Sequence, residues 1–334
     1  MSDPPTQSSK SKRRKWVWRL LVFALALVFL PYLFSRFTAP QNRLTLSETS
    51  ETESASNPDT LRIACYNIAH GRGLADSNWQ GGDAKTRLKR LDQIAELLTE
   101  IDADVVVLNE VDFDASWSNN VNQAEYLATK CRYPFRVEER NLDFRVVHRT
   151  WRFGNAVLSK FPLSDPQLID LPSYTELETL LAGKKRAFAV DLSVGDQKFH
   201  IVAAHLSHRS EDLRQRSAVQ IVEHVRAKNL PTVIAGDMNS SPKDFPGHNQ
   251  TEDGRNAIET FLESGLLIPS QTKAPESNSS LTFRSDDPRL VIDWFFVTRD
   301  LDFDTSYEVI DSKLSDHRPI IAEVTTAPES AITR

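Results

Sequence analysis

Eight side chains suited to carrying a proton or seating a hard cation fall beside apolar runs in this 334-residue chain. Glu110 follows VVVLN, Asn67 follows IACY, and Asp237 and Asn239 follow TVIAG, while Asp316 and His317 precede RPIIAEV. Carboxylates and amides are hard oxygen donors that suit Mg²⁺ or Mn²⁺, whereas zinc favours His and Cys. Mg²⁺ keeps several waters and takes one or two carboxylates together with substrate phosphate oxygens, so this set predicts a phosphate ester as substrate. His205, after HIVAA, and His317 are then available to move protons or to offset charge developing on phosphoryl oxygens. Asp293 stands among Val291, Ile292, Trp294 and Phe295, where a charge needs a partner. His317 is the candidate partner, because a buried carboxylate fixes one imidazole tautomer and favours the imidazolium. Taken singly, each of these residues reads as a turn former, a helix cap or a surface histidine. Their recurrence at strand tips is what points to one site.

Strands and helices must alternate to bring such distant positions together. LRIACYNI, ADVVVLNEV, GNAVLSKF, RAFAVDLSV, QKFHIVAAHL, PTVIAGDM and LVIDWFFVT read as strands. TRLKRLDQIAELLTEI reads as a helix, with Leu88, Leu91, Ile94, Ala95, Leu98 and Ile101 at helical spacing. QAEYLATKC, EDLRQRSAVQIVEHVRAKN and RNAIETFLESG also read as helices. RAFAVDLSV and QKFHIVAAHL, joined through Gly195-Asp196, predict an antiparallel hairpin. Hairpins mixed with βα units predict mixed sheets with outer helices, and the chain has no Gly-rich phosphate loop after a strand.

The ordered motifs YNI..G (Tyr66 to Gly71), LNEVD (Leu108 to Asp112), GNAVLSKFP (Gly154 to Pro162), AAHLS (Ala203 to Ser207), GDMNSSP (Gly236 to Pro242), IDWFFV (Ile292 to Val297) and SDHRPI (Ser315 to Ile320) resemble those of the endonuclease/exonuclease/phosphatase family. That resemblance implies a four-layer α/β sandwich of DNase I-like type, two mixed sheets packed face to face with helices outside, over about residues 61–326. It also implies a divalent-metal site at the strand ends. Glu110 would be the principal ligand, with Asn67 beside it and Asp316 sharing the ion. Asp237 would orient or deprotonate the attacking water, Asn239 would hold a phosphate oxygen, and His317, backed by Asp293, would grip the phosphoryl group. His205 would contact phosphate or assist the leaving group. The chain departs from the family pattern at Asn109, where many members have Gln, and at Ala69, where the abasic-site endonucleases carry a second Asn. It also has no counterpart of their catalytic tyrosine. Whether His70 faces the site, and what Asn155 and Arg152 do, the sequence leaves open.

Outside this domain, WVWRLLVFALALVFLPYLF follows the basic cluster KSKRRK and approaches the length that crosses a bilayer. No AxA-like cleavage site follows it, so a retained single-pass anchor at 16–37 is expected. Residues 1–15 would then be a basic cytoplasmic tail and the catalytic domain would lie in the periplasm or outside the cell. Residues 38–60, rich in Ser, Thr and Glu, read as a flexible stalk, and 327–334 as a disordered tail. Two cysteines without CxxC spacing exclude a disulfide framework. Residues 37–334 hold 33 of the 40 basic and 45 of the 46 acidic residues, a net charge of −12, which does not draw polyanions by its overall field. The basic stretches Arg145 to Gly154 and Gly183 to Arg186, expected in loops, are candidates for a local substrate patch. Phospholipid headgroups, nucleic acid and sugar phosphates all remain candidate substrates for an expected monomer. The rival readings are an exported nonspecific nuclease and a noncatalytic binding domain on the same fold.

Overall fold

A computed structural model describes residues 8–38, 43–49, 58–146, 149–176, 179, 183–247, 251, 254–304 and 307–326. Its helices are α1 (Ser8–Thr38), α2 (Ala84–Ile101), α3 (Gln123–Cys131), α4 (Glu211–Lys228) and α5 (Ala257–Glu263). The strands in chain order are β1 (Leu44–Glu48), β2 (Thr60–Asn67), β3 (Val105–Asp112), β4 (Phe135–Val146), β5 (Arg149–Ser159), β6 (Leu163–Asp170) and β7 (Arg186–Val194). They continue as β8 (Gln197–His205), β9 (Thr232–Asp237), β10 (Leu267–Pro269), β11 (Asp293–Thr298), β12 (Leu301–Phe303), β13 (Glu308–Val309) and β14 (Ile320–Thr326). Among the described residues these form one sheet of eight strands, ordered β1-β4-β5-β3-β2-β14-β12 with β13 against β14, and one of six, ordered β10-β11-β9-β8-β7-β6.

Each sheet is antiparallel except for one parallel pair, β2 with β3 and β8 with β9. A parallel pair needs a crossover, and α2 and α4 supply it. Asp83 caps α2 by accepting the Thr86 N–H at 2.8 Å, and the helix stops at Asp102, which takes a left-handed φ of 51°. Leu91, Ile94, Ala95, Leu98 and Ile101 are buried as their spacing predicts, but Leu88 points outward, 38% exposed, and Arg87 takes the buried position beside it.

The two sheets pack face to face. Ile63, Val105, Val107, Val157, Ile201, Ala203, Val233 and Phe295 fill the space between them. The opposite faces, bearing Val106 and Leu108 on one sheet and Val202 and Ile234 on the other, are covered by α2 with α3 and by α4 with α5. The nearly all-apolar β3 therefore has cover on both sides, as its composition requires.

Two sequence expectations need correction. Leu44–Glu48, assigned by composition to the stalk, pairs antiparallel with β4, and Leu44 enters the core between the sheets. The alternation of Leu44 and Leu46 is a strand signal that the surrounding Ser, Thr and Glu conceal. Of the stretch Arg145 to Gly154, expected as loop, Arg145, Val146 and Arg149 to Gly154 lie in the paired strands β4 and β5. The basic cluster Lys12 to Lys15 is helical, as the first part of α1. The proposed 327–334 tail, residues 1–7 and most of the stalk lie outside the described residues.

Candidate active site

Strand register sets the first half of the site. On β8, β9 and β11, His205 pairs with Asp237 and Asp237 with Asp293, so three residues about 30 to 60 positions apart in the chain stand in one row at the sheet's end. The row needs close backbones. At Gly236 (φ 156°) a Cβ would lie 1.8 Å from the Ala204 carbonyl oxygen. On the other sheet, Asn67 ends β2 opposite Asn109 of β3. There the β3–β5 register shifts between Leu108 and Val111, and Glu110 takes a left-handed φ of 52°. A bulge of this kind re-aims a side chain, here toward the partner sheet's row. Asp316 and His317 arrive on the turn entering β14, whose Ile320 pairs with Cys65 of β2.

One carboxylate oxygen is the meeting point. Asp237 Oδ2 accepts the Asn67 amide at 3.0 Å and lies 3.5 Å from His205 Nε2 and 3.6 Å from His317 Nε2. Its Oδ1 accepts the Asn239 backbone N–H at 2.9 Å, while the Asn239 side-chain amide donates to the Leu206 carbonyl at 3.2 Å. His317 Nδ1 sits 2.9 and 3.2 Å from the two oxygens of Asp293, which is 1% exposed. Burial opposes charge on His317, but Asp293 and then Asp237 overcome it and push its pKa up to about 10. Burial pushes Asp237 up to about 7 against the pull of His317. His317 is therefore held as an imidazolium.

Glu110 and Asp316 meet through an arginine not selected from the sequence. Arg72 donates Nη1 to Glu110 Oε2 at 3.0 Å and Nη2 to Asp316 Oδ2 at 2.8 Å. Burial alone would raise Glu110, yet the charges of His70, Lys185, His205 and Arg72 hold it well below the ordinary carboxylate range. His70, left open by the sequence, does face the site: its Nδ1 lies 2.7 Å from Asp112 Oδ1 and its Nε2 3.4 Å from Glu110 Oε2. Lys185, within the basic stretch Gly183 to Arg186 named as a candidate patch, brings a second cation, with Nζ 2.8 Å from His205 Nε2.

All eight selected residues thus converge, and Asn109 shows how. It donates Nδ2 to Asn155 Oδ1 at 2.8 Å and to the Ala204 carbonyl at 3.1 Å, and accepts the Asp237 backbone N–H at 2.9 Å. The short Asn109 amide thus spans the two sheets. Asn155 continues the chain to Glu139 at 3.0 Å. The expected basic patch, by contrast, is largely neutralised internally. Arg152 pairs with Asp143 at 2.9 Å and Asp114 at 3.3 Å, and Lys184 with Asp170 at 2.7 Å.

The donor set fits a hard divalent cation. Glu110 and Asp316 offer carboxylate oxygens on either side of one guanidinium, a place where the site already balances positive charge. Asp237, Asp293 and His317 form a tighter cluster, with ligand atoms within 4.8 Å of one another, but there the imidazole and Asp293 already satisfy each other.

Two mixed sheets face to face, with a carboxylate, amide and imidazole site at their ends, define the DNase I-like class of α/β sandwiches. The family model described as "Endonuclease/Exonuclease/phosphatase family" matches residues 64–317, and the chain belongs to that family. Its members are typically hydrolases of phosphoester bonds and generally depend on a divalent metal. Among solved structures, an endonuclease/exonuclease/phosphatase from Beutenbergia cavernae aligns at TM-score 0.60 and 21% identity, covering 81% of this chain and 72% of that one. The human nocturnin catalytic domain with bound sulfate aligns at 0.59 and 16%, covering 87% and 100%. A mannosyl-6-phosphatase from Bacteroides thetaiotaomicron aligns at 0.55 and 17%, covering 79% and 99%. At these identities the likeness is one of fold. No curated protein matches the chain.

Proposed function

We propose that this protein is a membrane-anchored phosphoesterase, dependent on Mg²⁺ or Mn²⁺, that hydrolyses a phosphodiester or phosphomonoester by in-line attack of water. The observation that carries this reading is the convergence of Asn67, His205 and His317 on Asp237 Oδ2, beside the Glu110–Asp316 acid pair. Glu110 and Asp316, with Asn67 alongside, would hold the ion, which supplies Lewis-acid charge to a phosphoryl oxygen when bound. Asp237, raised toward neutrality, accepts the proton of the attacking water. Asn67 and the Asn239 backbone orient that carboxylate through both of its oxygens. The second amide hydrogen of Asn239 is left for a phosphate oxygen. The His317 imidazolium, fixed by Asp293, donates from Nε2 to the charge that develops on phosphorus-bound oxygens. Because Arg152 and Lys184 are spent on internal pairs, small phosphoesters and headgroups fit better than long nucleic acids.

The test is a substrate panel with the full chain in detergent and Mg²⁺ or Mn²⁺. DNA, RNA, sphingomyelin, inositol phosphates, sugar phosphates and bis-nitrophenyl phosphate would be compared. Turnover should vanish in EDTA. Glu110→Ala and His317→Ala should each lower kcat/KM by about 10²- to 10³-fold with the fold retained. Wild-type rates in either variant would refute the site assignment.

A further inference from the structure

The reaction leaves one proton unassigned, the one required by the departing oxygen. His205 was the sequence's candidate, but its ring faces an ammonium. Lys185 Nζ lies 2.8 Å from Nε2 and 3.0 Å from Nδ1. A nitrogen that close to both ring nitrogens stands against the ring face, where a second positive charge is opposed, so the ring is neutral beside the ammonium. A neutral ring is a poor acid.

Lys185 itself is placed for the task. Its neighbours Lys184 and Arg186 turn away onto Asp170, at 2.7 and 3.7 Å, and Lys185 alone of the three enters the site. Among the described residues its ammonium has only His205 as a hydrogen-bond partner, so it has N–H groups to spare. Burial lowers its pKa, with Glu110 and Asp237 opposing, and so moves it toward the acidity a proton donor needs.

Building on the phosphoesterase reading, we propose that Lys185 is the catalytic acid for the leaving group and that His205 positions it. As the bond from phosphorus to the departing oxygen breaks, its electron pair stays on that oxygen. One ammonium N–H of Lys185 gives its proton to the same oxygen, so an alcohol leaves. The amine that remains takes a proton back from solvent, and His205 stays neutral throughout.

The test uses the full chain and a series of methyl aryl phosphates running from nitrophenyl to unsubstituted phenyl. A nitrophenolate leaves without help, whereas a phenolate needs the proton. Lys185→Gln should lose about 10²- to 10³-fold in kcat on the phenyl ester and less than about 10-fold on the nitrophenyl ester. Lys185→Arg should behave like Gln, because a guanidinium keeps its charge but does not release its proton. It also serves if the Gln variant unfolds, which melting would reveal. Equal losses across the series, full rescue by Arg, or no loss would each overturn the assignment while leaving the phosphoesterase reading in place. Absence of metal-dependent turnover by the wild-type chain on every ester would instead sink that reading and this one with it.

Discussion

Asp293 is the residue on which the charge of the site turns. A carboxylate 1% exposed survives only beside a cation, and His317 is that cation, 2.9 Å away. Because the folded-state pKa of His317 is raised to about 10 from 6.5, the stability this pair contributes is fully present below about pH 6.5 and is lost as pH rises through 10. Asp293→Asn removes the largest charge favouring the imidazolium. The His317 pKa should then fall, so the alkaline limb of the pH–rate profile should move to lower pH, with kcat reduced about 10²-fold or more. An unmoved alkaline limb would show that Asp293 does not hold the charge on His317. Lys185 and Arg72 teach the complementary lesson. Nothing in GKKR or HGRG distinguishes a cation turned toward carboxylates from one turned toward water, so Arg72 was not legible in the sequence and GKKR was legible only as a candidate patch, without saying which of its cations enters the site. The acids and histidines were legible because a polar residue at the end of an apolar strand is exceptional.

At the scale of elements, the strands that carry the site were read correctly, and what escaped were outlying strands and their pairings. RAFAVDLSV and QKFHIVAAHL form the expected hairpin, and QAEYLATKC is α3 from end to end. β1, β4, β6 and the first residues of β5 were missed because their residues are largely polar or basic and gain their strand partners only from tertiary context. The amide chain Asn109–Asn155–Glu139 was equally invisible, since a clasp between sheets has no sequence period. Asn109→Ala should cost about 2 to 3 kcal/mol, because it strips partners from three buried polar groups. Chemical denaturation would measure it, and activity should fall with it as Asp237 loses its anchor. Glu139 gives a pH prediction of the same sign as that of His317, in a lower window. Burial raises its pKa to about 8 from 4.5, and its Oε1 is buried without a hydrogen-bond partner. The folded state therefore keeps a proton that the unfolded chain has lost, and stability must fall as pH rises from about 4.5 to 8. Glu139→Gln should flatten that decline, giving a higher melting temperature than wild type at pH 8 and a smaller difference at pH 5. A variant no more stable at pH 8 would contradict the assignment.

At the scale of the whole molecule, α1 stands apart from the sandwich. Within its segment Lys12–Ser35, the most apolar 18-residue window has mean hydropathy 2.2 and is unburied, with Trp16 and Phe34 65% and 71% exposed. Water would not tolerate so long an apolar face, whereas lipid would. None of the three apolar clusters of the domain draws on α1. Its C-terminal end meets the domain along β4, where the Arg145 N–H donates to Ser35 Oγ at 2.6 Å. Anchor and catalyst should therefore separate cleanly. A chain lacking residues 1–36 should move from the detergent phase to the aqueous phase while keeping kcat/KM on a small soluble ester within about 3-fold. Its activity on the same phosphoester displayed on vesicles should drop much further, because a domain of net charge −12 has no overall field to draw it back to an anionic surface. Full-length protein extracted by alkaline carbonate would refute the anchor, and a soluble fragment equally active on vesicles would show that tethering contributes nothing to catalysis there.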